Sequence, residues 1–234
     1  MIPALADVLQ RPDIWRGDAI VVSPAPTLSS GFAELDAELP GGGWPCGQLI
    51  ELLQQHEATG ELTLLIPLLA RLTRRGQTVV LVAPPHRVNA PAWAGAGVKL
   101  DFLRLLFPQK PSDFLWASLA ALRCPEVAAT LMWIDVRIAN SLRRIHLAAG
   151  EGGGCAFLFR PLSAATEASP APLRIQLETA AGTLRVVLLK RRGPPARRPF
   201  ELVLPRPAIY PHELPHALAG GPPPVPGQRH SLVA

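Results

Sequence analysis

Between residues 48 and 160 the sequence alternates short apolar runs with longer mixed segments, and this alternation limits the folds open to the chain. The apolar runs are QLIELL (48–53), TVVLVA (78–83), FLRLLF (102–107), ATLMWID (129–135) and CAFLFR (155–160). Short runs that are apolar throughout are typical of strands buried on both faces of a sheet. Because helical segments separate them, the order predicts an α/β fold with a largely parallel sheet flanked by helices.

The segments between these runs carry helix signals. We expect a helix from Thr59 to Arg75 with Thr59 as its N-cap, a short helix over 89–97, a helix over 112–123 capped by Ser112 or Asp113, and a helix over 139–150. After residue 172 the pattern changes to two alternating strands around Ala181 and Gly182. This change predicts an antiparallel hairpin at the C-terminal edge of the sheet.

The length and the distribution of proline divide the chain into three parts. A chain of 234 residues supports one core, and prolines gather near its end, in GGPPPVPGQRHSLVA (220–234). We therefore predict an N-terminal helix and lead over 1–27, a core over 28–206, and a proline-rich, flexible tail over 207–234.

Positive charge is concentrated late in the core. The net charge is +5, and the stretch RVVLLKRRGPPARRPFELVLPR (185–206) holds seven basic residues against Glu201. Such a local excess indicates a contact surface for DNA or for a protein partner, or else a solvated basic edge. The residues that we predict to make this contact are Lys190, Arg191, Arg192, Arg197 and Arg198.

Metal binding and membrane insertion find little support in the sequence. Cys46, Cys124 and Cys155 lack paired metal-ligand spacing, and the start of the chain does not resemble a signal peptide. HELPH (212–216) matches a zinc-protease pattern, but Pro215 lies inside the helix that this pattern needs. The longest apolar run, LTLLIPLLARL (62–72), is shorter than the ~20 residues that span a bilayer. We expect a cytoplasmic, nucleoid-associated protein with free thiols and no metal.

The loop QQHEATGELT (54–63) lies where a phosphate-binding loop would lie, between an apolar strand and a helix. Such a loop needs glycines to wrap the phosphates, a lysine to reach them, and a Ser or Thr to hold Mg²⁺. Here two glutamines replace the first glycine, Glu61 stands at the lysine position and Leu62 at the hydroxyl position. A single charge pair at 4 Å is worth ~4 kcal/mol at an effective dielectric near 20, so this reversal disfavours a triphosphate. We expect no ATP binding and no cofactor.

Two further residues belong to this degenerate nucleotide site. Thr63 offers a hydroxyl one position late, and Asp135 ends an apolar strand as the magnesium-associated aspartate of phosphate-loop enzymes does. An aspartate at that place is equally common as a cap of the strand or of the next helix. The complete predicted site comprises Gly60, Glu61, Leu62, Thr63 and Asp135.

Residues 28–60, LSSGFAELDAELPGGGWPCGQLIELLQQHEATG, resemble the opening of the RecA recombinase core. The resemblance continues through the strands at 78–83 and 130–135 to RVVLLKRRGPPARRPFELVL (185–204). It implies a RecA-like fold in which RecA's catalytic glutamate is replaced by Pro85. It also implies that the two basic residues with which RecA reaches a neighbour's nucleotide correspond to Lys190 and Arg192, and that RecA's DNA-binding loops are shortened or lost.

A RecA-like domain with a defective ATP site and a basic, proline-rich tail is similar to the ImuA family, whose members were often labelled SulA-like. That resemblance implies a noncatalytic accessory protein of damage-induced translesion DNA synthesis. Its implied partners are ImuB, a catalytically inactive relative of Y-family polymerases, the error-prone polymerase ImuC, and RecA itself. Two alternatives stay open, a RecA-type ATPase that binds DNA and a SulA-like inhibitor of cell division.

Overall fold

The fold is built around one large mixed sheet. The computed structural model describes residues 26–56, 60–134, 141–180, 183–193 and 198–205. Among these residues the strands are β1 (Thr27–Leu28), β2 (Trp44–Pro45), β3 (Leu49–Gln54), β4 (Thr78–Val82), β5 (Leu103–Leu106), β6 (Val127–Trp133), β7 (Cys155–Pro161), β8 (Leu173–Ala180), β9 (Thr183–Lys190) and β10 (Phe200–Leu202). The α-helices are α1 (Ala33–Glu38), α2 (Glu61–Arg74), α3 (Ala90–Gly95), α4 (Pro111–Arg123) and α5 (Leu142–Gly152).

The large sheet has the strand order β10-β9-β8-β3-β7-β6-β4-β5. Strands β3 to β8 pair in parallel, and β8, β9 and β10 pair antiparallel. This arrangement confirms the α/β fold and the antiparallel hairpin at the C-terminal edge. The hairpin adds beside β3, so β3 lies inside the sheet with β7 on one side and β8 on the other.

Helices cover both faces of the sheet, as buried strands require. One layer packs α2 and α3 against the sheet around residues such as Leu68, Trp93 and Phe157. The other layer packs α4 and α5 around Phe114 and Ile145. The four central parallel strands are almost entirely buried, which explains why their sequences are apolar throughout instead of alternating.

Two predicted helix starts differ from the structure. Helix α4 begins at Pro111 with Lys110 in the cap position, so Ser112 and Asp113 lie in the first turn and neither caps the helix. Proline is well suited to the first helical position because its missing N–H would have no partner there. Helix α2 begins at Glu61 with Gly60 in the cap position, and not at Thr59, which lies outside the described residues.

A small two-stranded ribbon precedes the sheet, and the sequence did not predict it. Strands β1 and β2 pair antiparallel, and α1 lies between them along the chain. Trp44 of β2 is fully buried and meets Phe157 of β7 edge to face, with ring centroids 5.2 Å apart. The ribbon is therefore anchored in the core. Among the described residues, none of the helices combines the length and apolar character needed to cross a bilayer.

Candidate functional site

The loop that the sequence predicts to be a degenerate phosphate loop lies at the carboxyl ends of the parallel strands, where open α/β sheets bind their ligands. Strand β3 leads into it and α2 begins directly after Gly60. Gly60 has a φ of +99°, a left-handed conformation that favours glycine. The chain passes from strand to helix through this loop, of which residues 57–59 are outside the described part of the chain.

The side chain at the lysine position points into the protein. Glu61 is only 3% exposed, and its Oε2 has no hydrogen-bond partner among the described residues. A carboxylate in the first turn of a helix is favoured by the helix dipole, which partly offsets the cost of burying it. Leu62 and Thr63 are half-buried. In this orientation a buried carboxylate, and not a cation, stands at the start of α2.

The space above Gly60 is occupied by the C-terminal part of the core. A Cβ atom added to Gly60 would lie 2.9 Å from Leu204 Cδ1 and 3.9 Å from Leu184 Cδ1. In a phosphate loop the backbone at this place must stay open to the ligand. Here two leucines from β9 and the segment after β10 cover it.

A cleft of about 380 Å³ opens beside the loop, along the same edge of the sheet. It lies at the ends of β3, β4, β6 and β7, and its walls include His56, Trp133 and Arg160. Two polar atoms of its lining residues are buried and lack a partner within the described chain: Gln54 Oε1 and Trp133 Nε1. Trp133 stacks on Phe159 with ring centroids 4.4 Å apart. The cleft therefore has an aromatic wall and uncommitted polar atoms, but Gln54 stands where phosphate loops have glycine.

One residue in the lining of this cleft has a strained backbone conformation. Ala83, which follows β4, has a φ of +52°, and its N–H donates to Leu106 O at 2.8 Å. A left-handed conformation costs a residue with a side chain about 1–2 kcal/mol. Strain of this kind is concentrated at functional sites. It supports the cleft as the candidate site on this edge.

A buried ionic cluster lies behind the cleft, and sequence reasoning missed it. Glu51, at the centre of β3, has no exposed surface. Its Oε1 accepts from Ser169 Oγ at 2.6 Å and Arg160 Nη1 at 3.4 Å, and its Oε2 accepts from Arg174 Nε at 2.7 Å. Arg160 also donates to Glu167 Oε2 at 2.6 Å. The sequence signal for this cluster was a charged residue inside an otherwise apolar strand, because a buried charge requires partners.

Some basic side chains of the stretch 185–206 are hydrogen-bonded within the protein, and others are exposed to solvent. Arg191 donates from Nη1 to the Glu38 backbone oxygen and to Glu38 Oε2, the latter at 3.1 Å, so it fastens β9 to α1. Lys190 donates to Ser169 O at 3.0 Å and stays exposed. Arg192 and Arg198 are exposed.

Arg197 and Asp135 lie outside the described residues, as do the tail and its HELPH segment. Within the described part of the chain, no group of three potential ligands could hold a metal ion.

The basic stretch faces α5, where it changes the environment of His146. Burial lowers the pKa of His146, and the positive charges of Arg192 and Lys190 lower it further. The histidine thus favours its neutral form beside these two cations. Lys190 and Arg192 therefore lie within electrostatic reach of His146 on α5.

The comparisons with known proteins point to RecA. No protein-family model matches the chain. It is 30% identical over 95 residues to "DNA repair protein recA homolog 3, mitochondrial" of Arabidopsis thaliana, a match covering 41% of this chain and 22% of that protein. It is 31% identical over 111 residues to "Protein RecA" of Borrelia hermsii, a match covering 44% of this chain and 31% of that protein.

This chain is therefore similar in sequence to RecA proteins over about 95 to 111 residues. The sheet topology agrees with that likeness, because a mostly parallel sheet with an antiparallel C-terminal edge is consistent with a RecA-like fold. The match spans less than a third of the length of either relative.

Proposed function

We propose that this RecA-like chain is a noncatalytic accessory protein of DNA repair, which acts through protein contacts in translesion DNA synthesis. The observation that carries the proposal is the state of the phosphate loop. Glu61 replaces the phosphate-binding cation and is buried, and Leu204 and Leu184 cover Gly60. A RecA-like fold that has given up this loop while keeping its core suits a scaffold better than an ATPase.

The RecA-named relatives supply the repair context, since one of them is called a DNA repair protein. The resemblance to the ImuA family supplies the finer assignment, with ImuB, the ImuC polymerase and RecA as partners. DNA is a further ligand that the exposed part of the basic stretch suits. A test of DNA binding belongs on Arg192 and Arg198, because replacing Arg191 also removes a hydrogen bond and ion pair to Glu38.

We expect the purified full-length chain to hydrolyse ATP no faster than its own Asp135→Ala variant. The physical reason is that the loop sequence 54–63 contains no lysine or arginine to hold the β and γ phosphates, while Glu61 repels them. Steady-state phosphate release, measured with and without single-stranded DNA, checks this. Turnover above the buffer background that disappears in Asp135→Ala would establish the RecA-type ATPase instead.

Partner binding tests the accessory role directly. We expect the full-length chain to retain ImuB in a pull-down from purified components, and removal of residues 207–234 to weaken that retention, because proline-rich segments commonly fold on a partner. Retention of the bacterial division GTPase in place of ImuB would support the SulA-like alternative. Equal retention of ImuB by the full-length and truncated chains would exclude the tail as its binding segment.

A further inference from the structure

Two cysteines that are far apart in the sequence meet at the amino-terminal edge of the parallel strands. Cys46 Sγ and Cys155 Sγ lie 3.3 Å apart. Cys155, the first residue of β7, is 1% exposed, and Cys46, which follows β2, is half-buried. The third cysteine, Cys124, is half-buried at the end of α4 and donates to Glu126 Oε2.

The backbone fixes this pair in place. Gly47 N–H donates to Gly154 O at 2.9 Å, so the residue after one cysteine is bonded to the residue before the other. Cys46 N–H donates to Pro26 O at 2.7 Å. Two residues away on each side, Trp44 packs against Phe157 in the core. Packed strands and backbone hydrogen bonds therefore hold the two cysteines beside each other.

The pKa values of the two thiols are shifted in opposite directions. The hydrogen bond from Cys155 lowers the pKa of Cys46, although burial opposes this. The same hydrogen bond and burial raise the pKa of Cys155, which the Arg71 guanidinium partly counteracts. Cys46 is thus the more readily deprotonated of the two thiols and is also the more accessible. Thiolate character and access are what make a cysteine susceptible to oxidants.

We propose that Cys46 and Cys155 are an oxidation site at which a peroxide converts the dithiol into an intrachain disulfide. The Cys46 thiolate attacks one peroxide oxygen, breaking the O–O bond and forming a sulfenic acid while the second oxygen leaves as water. The Cys155 sulfur then attacks Cys46 Sγ, and the sulfenic oxygen leaves as a second water. In total, two thiols and one hydrogen peroxide give one disulfide and two waters, with two electrons passing from sulfur to oxygen.

The disulfide ties the β1–α1–β2 segment to the middle of the sheet. In the reduced protein this segment is held by Trp44 and by hydrogen bonds. The crosslink closes a loop whose ends are 109 positions apart. In the chain-entropy account a loop of this size raises the unfolding midpoint of a domain of this length by roughly 10 °C. The inference is independent of the accessory role, because it rests on the sulfur pair alone.

The test oxidises the full-length native protein with hydrogen peroxide, blocks remaining thiols with N-ethylmaleimide, and measures the intact mass and the peptide map. We expect the wild type to lose two hydrogens, to yield a crosslinked pair of peptides containing Cys46 and Cys155, and to keep one blockable thiol at Cys124. The midpoint of thermal unfolding should rise with the crosslinked fraction and fall back on reduction.

The matched control is Cys124→Ser, in which the crosslink should form as in the wild type. Cys46→Ser should prevent it, and so should Cys155→Ala, which keeps an apolar group at the buried position. Even if a variant fails to fold, the peptide map of the wild type shows whether Cys46 and Cys155 form the crosslink. Three blockable thiols after oxidation, conversion of Cys46 to a sulfinic acid without a crosslink, or dimers joined through Cys124 would each overturn the proposal.

Discussion

Replacing Arg174 by alanine should lower the free energy of unfolding by about 3–5 kcal/mol, the cost of breaking a buried ion pair. Arg174 is 7% exposed and bonds Glu51 Oε2 at 2.7 Å. Its guanidinium also donates to three backbone oxygens, those of Ala164, Ala165 and Glu167. Truncation leaves the carboxylate of Glu51 in the centre of the sheet with one of its charged partners missing. Urea unfolding followed by circular dichroism measures the change.

Arg185 provides the matched control on the neighbouring strand. It pairs with Glu178 at 3.4 Å, but its side chain is 49% exposed and that of Glu178 is 36% exposed. Solvent screening makes such a pair worth about 0.2–1 kcal/mol, so Arg185→Ala should change the unfolding free energy very little. If Arg174→Ala costs no more than Arg185→Ala, the cluster around Glu51 does not stabilise the sheet as its burial indicates.

Gly152→Ala should destabilise the protein by about 3 kcal/mol, which is a large effect for the addition of one methyl group. A Cβ atom on Gly152 would lie 1.9 Å from the backbone oxygen of Leu122 and 2.9 Å from its carbonyl carbon. Leu122 belongs to α4, so the methyl group would push the last turn of α5 away from the end of α4. Because the atoms nearest to the added methyl group all belong to the backbone, no flexible side chain can move to make room for it.

Gly150 lies two residues earlier on the same helix and serves as the control. The nearest atom to an added Cβ there is Gly47 O, at an ordinary 3.7 Å. Alanine is favoured over glycine inside a helix by about 0.8–1.0 kcal/mol, so Gly150→Ala should stabilise the protein. The changes in unfolding free energy of the two variants, measured by chemical unfolding, should therefore have opposite signs. A common sign for the two would contradict the tight approach of α5 to α4.

Burial explains how much of the fold the sequence could predict. Strands β3, β4, β6 and β7 are covered on both faces, which forces apolar residues at nearly every position and makes each strand visible as a continuous run. The hairpin of β8 and β9 was visible because its residues alternate. Strands β1, β2 and β10 have two or three residues each, too few for a period to appear.

The strand, the loop and the helix around Glu61 were predictable from the sequence, but their packing was not. The strand-to-helix loop and the position of Glu61 could be read from the motif. The leucines that cover Gly60 could not, because Leu204 meets the loop only through long-range packing. The contacts of Glu51 with its arginines could not be predicted for the same reason. The contact between Cys46 and Cys155 is also long-range and could not be predicted either. Arg191 belonged to a predicted contact surface, whereas its pairing with Glu38 depends on the placement of α1 beside β9.

The position of β3 inside the sheet sets an order for folding during synthesis. Ile50 pairs with Phe157 on one side and with Leu173 on the other, so β3 leaves the ribosome long before either neighbour exists. Pairings so distant in sequence slow folding and leave apolar segments exposed meanwhile. The cluster described above opposes premature burial of β3, because both arginines that neutralise Glu51 lie on β7 and β8. Burial of Glu51, and with it of β3, is therefore favourable only once β7 and β8 supply these arginines.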